Sequence, residues 1–311
     1  MKKFNLDFVG KRHFFAVIST ALVVASIGLI AFKGLSFGID FSGGTLIEFK
    51  TQQAESIEDV RSKLDAAGLT SYSLQRYGSE SEFLVRISEK ISDSAQAEDL
   101  VHKVGAELRR LEYVGPQIGK ELTEKGLLAT LFSLIAILIY VSFRFQLRFA
   151  LGAVIALFHD VMLTLGVFVL TGKEFSLPVL AAVLTIIGYS LNDTIVVYDR
   201  IREDMTKTSD EDDANETLFS KLINTSINST LRRTLMTSLT TFVVLLSLYL
   251  FGGQSINDFA FALLFGVVVG TYSSIFVASP ILIYLRKFAP KPRDEKEEEE
   301  EDFSRFNQYS D

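Results

Sequence analysis

Apolar positions in this chain come in long blocks, separated by short polar connections and by one long mixed stretch. A helix needs roughly 20 apolar residues to cross a hydrocarbon core. Six segments reach that length, at about 14–33, 124–143, 149–170, 175–198, 233–251 and 259–285. They predict a polytopic α-helical membrane protein with six transmembrane helices. The first block runs from Phe14 to Phe32, longer than the apolar core of a signal peptide. Phe32-Lys33-Gly34 is also a poor small-residue cleavage site, so the block reads as a retained anchor.

The mixed stretch, 35–120, changes period. Thr45 to Lys50 alternates apolar and polar, as a half-buried strand does. Ser56 and Asp59 stand at capping-box spacing, with Asp in place of Glu, ahead of an apolar stripe of Ile57, Val60, Leu64 and Ala67 that stops at Gly68. Two short strands follow, near Ser71–Tyr77 and Glu82–Ile87. A second amphipathic helix is expected to carry Leu100, Val101, Val104, Leu108 and Leu111, and a last strand to occupy Glu112–Val114. The order β-α-β-β-α-β is that of a ferredoxin-like unit. It shows no catalytic pattern: His102 reads as a surface residue, and the domain as a binding surface or lever.

Lysine and arginine orient the spans. The N-terminus has Lys2, Lys3, Lys11 and Arg12, and the connection after span two has Arg144 and Arg148. The connection after span four carries Arg200, Arg202, Lys207, Lys221 and Arg232; the tail carries Arg286, Lys287, Lys291 and Arg293. The alternate connections hold only Lys173. Both termini are therefore expected in the cytoplasm and the mixed stretch outside. The chain divides into residues 1–34 (cytoplasmic N-terminus and span one), 35–120 (extracytoplasmic α+β domain), 121–288 (spans two to six) and 289–311 (tail).

Composition adds two points. The chain has 311 residues, is 48% hydrophobic and carries a net charge of -7, part of it in the acidic run Asp294–Asp302, which reads as a solvated, disordered tail. With no cysteine, thiolate chemistry and cysteine-based metal sites are excluded.

Against that apolar background, ionisable residues in or at the edge of a span are few: His159, Asp160, Asp193 and Arg233. A charge at the bilayer centre costs at least about 2.5–3.5 kcal/mol by insertion scales, so such residues mark ion pathways or buried partners. Asp193 precedes the end of its apolar run by five residues, roughly 7–8 Å of helix. Tyr189 and Arg200 share its face. Span five begins at Arg233, and Arg233, Thr237, Thr240 and Thr241 give it a polar stripe. Because spans four and five run antiparallel, Arg233 and Asp193 are expected at similar depth, able to pair. The plainer reading has Arg233 snorkelling to the headgroups. His159 and Asp160 lie near the middle of span three, as further relay members or as a hydrogen-bond clamp. Burial favours a neutral carboxyl and an arginine the charged one, so a pair that can part can take up and release a proton. Span six carries the small-residue stripe Gly266, Gly270, Ser274 and Ala278, a packing seam, with Pro280 as a kink site.

Several segments together resemble the SecD/SecF family of the bacterial preprotein translocase, within the resistance–nodulation–division superfamily. They are Phe37-Gly38-Ile39-Asp40-Phe41-Ser42-Gly43-Gly44-Thr45, Gly115-Pro116-Gln117-Ile118-Gly119, His159-Asp160, Gly188 to Val197, Asp199-Arg200-Ile201-Arg202-Glu203 and Arg233-Thr234, and the likeness extends to about residue 288. The resemblance implies a SecF-like subunit of the cytoplasmic (inner) membrane. Its partners would be a separate SecD chain, the SecYEG channel, preprotein driven by SecA, and YajC, with the proton gradient pulling from outside. It maps the family's proton-path residues onto Asp193 and Arg233. The stretch Ser209–Glu216 is longer than the family pattern.

The competing expectations are three. An ion-coupled small-molecule or lipid exporter of the same superfamily would need a larger outer domain. An intramembrane enzyme is disfavoured: Asp160 and Asp193 are expected at different depths, and no metalloprotease motif is present. A pure scaffold would tolerate loss of Asp193. No cofactor or metal is called for, and proton and sodium coupling are not distinguished.

Overall fold

The computed structural model describes residues 6–88, 90–91, 93–145, 147–208 and 215–286. The acidic tail and most of the 209–216 stretch lie outside the described residues. Six helices are long and apolar enough to cross a membrane. They are α1 (Arg12–Lys33), α5 (Pro116–Arg144), α6 (Leu147–Thr171), α7 (Leu177–Met205), α8 (Glu216–Phe251) and a sixth that runs Asn257–Leu285. The sixth is broken into α9 (Asn257–Ser273), a π-helical turn (Ser274–Ala278) and α10 (Ser279–Leu285). The break precedes Pro280, which has no N–H to donate to the preceding turn; inserted residues of this kind are a recognised cause of bent helices.

Between α1 and α5 lie α2 (Ile39–Ser42), β1 (Gly44–Thr51), α3 (Ile57–Ala66), β2 (Tyr72–Arg76), β3 (Glu82–Ile87), α4 (Ser94–Lys103) and β4 (Ala106–Val114). The sheet order is β2-β3-β1-β4 and every pairing is antiparallel. Each helix thus connects two strands separated by a third, the interlocked arrangement of a ferredoxin-like unit. Ile47, Phe49, Phe83, Val85 and Ile87 point to one face and are buried under Val60, Leu64, Ala97 and Val101 of the two helices. Ser56 caps α3 as its spacing predicts, its Oγ accepting from Asp59 N.

Two boundaries differ from the sequence reading. Leu108 and Leu111 belong to β4, not to the second helix: α4 stops at Lys103, and Gly105, at φ 77°, turns the chain into a nine-residue strand. A helical stripe and the inward face of a strand look alike where they join. Helix α8 starts at Glu216, where Asn215 Oδ1 accepts from Thr217 N and Leu218 N, and not near residue 233. Its first five turns are polar enough to hide from a hydropathy window, yet they bury Phe219, Ile223 and Ile227.

Helices α6, α7 and the sixth span form the interior of the bundle, whereas α1, α5 and α8 are mostly exposed. The small-residue seam of the sixth span packs within the chain: a side chain at Gly266 would meet Ile186, and one at Gly270 would come within 3.0 Å of Ser190 Cβ.

Candidate functional site

Two buried carboxyls, one on α6 and one on α7, organise the polar interior of the bundle. Asp160 is 1% exposed. His159 Nδ1 lies 2.8 Å from its Oδ1, while Ser190 Oγ of α7 and Ser273 Oγ of α9 donate to its Oδ2 at 2.5 and 2.7 Å. Its backbone carbonyl accepts from Thr164 Oγ1. His159 stacks on Tyr272, whose hydroxyl lies 2.9 Å from Ser19 Oγ of α1, and its Nε2 is buried without a hydrogen-bond partner.

Asp193 is 2% exposed and far more loosely held. Ser238 Oγ of α8 donates to its Oδ2 at 3.2 Å, and Thr271 Oγ1 of α9 donates to Ser238 Oγ at 2.7 Å. One turn before Ser238, Thr234 Oγ1 is buried without a hydrogen-bond partner. One turn before Asp193, Tyr189 OH donates to Thr241 Oγ1 at 3.2 Å.

The expected Asp193–Arg233 pair is not in direct contact, the carboxyl bonding Ser238 instead, although the Arg233 charge acts on it from a distance. Arg233 is exposed, as is Thr237, whose hydroxyl bonds backbone carbonyls of its own helix. The reason lies in the register of α8 against α7. The residue level with Asp193 is Ser238, so Arg233 lies about five residues, or roughly 7.5 Å, further along the axis. The two carboxyls are also closer in depth than expected. Asp160 is level with Ser190, which is roughly 4.5 Å of helix from Asp193. They bond different partners, so they do not form a shared-proton dyad.

Sequence reasoning missed Ser190, Ser238, Thr271 and Ser273 as partners of these carboxyls. It also counted Arg148 as a loop cation, whereas it is fully buried in α6, with Phe149 and Phe219 stacked against its guanidinium. Its position one residue before an apolar run offered the only hint.

At the sheet side of the bundle, the segment from Phe37 to Gly44 is a joint. Gly38 N donates to Phe175 O, Phe175 N donates to Ser36 O, and Phe41 stacks on Phe175. Asp40 Oδ2 accepts from Leu177 N at 2.9 Å and so supplies the cap that Ser176 does not give to α7. Gly43 (φ 69°) and Gly44 (φ 116°) then turn into β1, where a side chain at Gly43 would press on Pro116 Cα at 3.0 Å. Gly119 packs as closely on Gly43 N. The outer face of the sheet meets the bundle through charge. Arg86 of β3 pairs with Glu174, and Arg110 Nη1 donates to Ser255 Oγ. Burial pushes the Glu174 carboxyl above its ordinary value, by more than the Arg86 charge pulls it down.

Comparison with known proteins gives a consistent match. Residues 96–288 fit the family described as protein export membrane protein SecD/SecF, C-terminal, and residues 28–55 fit the SecD/SecF GG motif, which here contains Gly43 and Gly44. The protein translocase subunit SecF of Desulfurispirillum indicum is 45% identical over 309 residues, covering 96% of this chain and 98% of that protein. That of Magnetococcus marinus is 47% identical, covering 95% and 98%. Among solved structures, the crystal structure of SecDF, a translocon-associated membrane protein from Thermus thermophilus, superimposes with a TM-score of 0.81 at 36% identity. That match covers 92% of this chain and 39% of the longer SecDF chain.

Proposed function

Because the chain belongs to the SecF family of protein translocase subunits, we propose that Asp193 is the group through which it couples an ion gradient to protein export. The chain is a multi-pass membrane protein that serves as an auxiliary subunit of the Sec machinery. The matched relatives are translocase subunits, which does not favour the exporter reading.

The observation that carries the role of Asp193 is its sparse coordination beside an exposed polar stripe. A buried carboxyl with one hydroxyl donor at 3.2 Å, and an unpartnered Thr234 hydroxyl one turn from that donor, has room for a second arrangement. Arg233, Thr237 and Thr240 lie exposed on the same helix, α8. Polar groups facing lipid are costly, so that stripe calls for a covering subunit. A SecD chain with spans of its own fits, placing the Asp193 network beside a subunit boundary. Arg233 would swing toward Asp193 in one state and away in another, with Tyr189 and Thr237 lining the path. His159 and Asp160 form a separate centre.

Basic residues gather at the bundle end away from the sheet: Arg12, Arg144, Arg200, Arg202, Lys207, Lys221, Arg232 and Arg286. This supports cytoplasmic termini in the inner membrane and an extracytoplasmic sheet domain. The polar seat of that domain suits one that moves. A membrane potential supplies about 2.3 kcal/mol per charge per 100 mV, which shifts a two-state equilibrium roughly fifty-fold. One proton, or one sodium ion, per cycle is then enough to move the domain. SecYEG, SecA-driven preprotein and YajC are the further partners this role implies.

The test is gradient-dependent secretion into inverted vesicles holding the complete complex with Asp193→Asn. Loss of the gradient-stimulated part, with normal assembly and normal SecA-driven transport, is the expected result. Full stimulation would remove Asp193 from the mechanism.

A further inference from the structure

Asp160 stands where three helices meet and is bonded within all of them: His159 on α6, Ser190 on α7 and Ser273 on α9. A buried polar group that loses its hydrogen-bond partners is costly, so these bonds tie the three helices to one register. The two helices it grips are the ones that arrange the surroundings of Asp193. Ser190 precedes Asp193 by three residues, one helical turn on α7. Ser273 lies two residues after Thr271, which donates to Ser238, which donates to Asp193. The π-helical turn opens at the residue after Ser273, and Tyr198 OH pins its far end by donating to Ala278 O at 2.8 Å. Asp160 and Tyr198 therefore hold both ends of the one irregular turn in the sixth span.

We propose that Asp160 is a positioning residue: it fixes the rotation of α7 and α9 so that the Ser238–Thr271 hydroxyl pair faces Asp193, and thereby sets the pH at which Asp193 exchanges its ion. This rests on the role proposed for Asp193. The titratable groups around the two carboxyls are His159 on α6, Tyr189 on α7, Arg233 on α8 and Tyr272 on α9. Only His159 touches Asp160, and none of the four is bonded to Asp193.

Two readouts test it, both in the complete complex. The first is the pH profile of gradient-stimulated secretion with Ser190→Ala and Ser273→Ala combined. Loss of these bonds is expected to shift the midpoint by about 0.5–1 pH unit while stimulation at the optimum persists. The second uses the absence of native cysteine: Ser238→Cys with Thr271→Cys places two thiols where the hydroxyls now meet. With an added thiol oxidant to take up the two electrons, adding the two serine substitutions, or Asp160→Asn, is expected to slow formation of that disulfide several-fold. An unchanged profile with unchanged cross-linking, alongside less assembled complex, would overturn the proposal and leave Asp160 a packing clamp. Loss of stimulation at every pH with Asp160→Asn, but not with the serine substitutions, would overturn it in favour of Asp160 carrying the ion. The cross-linking arm reads helix register alone, so it stands even if Asp193→Asn shows that Asp193 carries nothing.

Discussion

The two buried carboxyls of this bundle are roughly one helical turn apart in depth, yet their surroundings are opposite. Asp160 has three hydrogen-bond partners between 2.5 and 2.8 Å, whereas Asp193 has one at 3.2 Å, with an unpartnered hydroxyl one helical turn from that donor. A saturated buried carboxyl has little to gain from changing its state, because any rearrangement leaves partners orphaned at about 1–3 kcal/mol each. A sparsely bonded one loses little by changing. Burial alone therefore does not identify a working group. The count and geometry of its partners separate a clamp from a switch.

That contrast can be broken in several ways. The largest effect is expected from exchanging charge for neutrality at each site. Asp193→Asn should abolish gradient stimulation with little change in thermal stability, whereas Asp160→Asn should lower the unfolding temperature of the purified complex, reflecting the loss of hydrogen bonds worth about 1 kcal/mol each. Equal effects of both substitutions on both quantities would erase the distinction. Next is Gly270→Ala, whose methyl would press on Ser190 Cβ and part α7 from α9. Overpacking of this kind costs about 1–3 kcal/mol, and the damage should resemble that of Asp160→Asn in a thermal melt. Thr234→Val is gentler: removing a buried, unpartnered hydroxyl should leave stability unchanged or raise it by up to about 1 kcal/mol. It should still reduce gradient-stimulated secretion if the Thr234 hydroxyl receives Asp193 in a second state.

The smallest effect concerns the seat of the sheet domain. Burial raises the Glu174 carboxyl above its ordinary value, so the folded state binds a proton more readily than the unfolded one. Its contribution to stability is full below the ordinary carboxylate range and is lost as pH rises through the raised value. Glu174→Gln should flatten that part of the pH–stability curve, measured by protease protection of the sheet domain.

Much of this was legible in the sequence, and the rest was hidden for identifiable reasons. Six spans were readable because apolar blocks near twenty residues have few other uses, and Asp160 and Asp193 because charge is expensive there. Ser190, Ser238, Thr271 and Ser273 were not. Hydroxyl residues in these helices mostly bond their own backbone, as Thr237 and Thr240 do, and nothing in their spacing marks the ones that reach across. Arg233 opens its apolar run whereas Asp193 lies five residues inside its own, so the two are offset by roughly 7.5 Å, and Ser238 rather than Arg233 stands level with Asp193. Leu108 and Leu111 were misassigned at a helix–strand joint, where the two periodicities overlap locally.

The central claim is that Asp193 changes its protonation with the gradient and Asp160 does not. The most direct measurement is labelling of the intact complex with a membrane-permeant carbodiimide, which reacts with protonated carboxyls, followed by mass spectrometry with and without an imposed proton gradient. The account predicts modification of Asp193 that varies with the gradient and no gradient dependence at Asp160. Gradient-dependent labelling at Asp160, with Asp193 inert in both conditions, would contradict it.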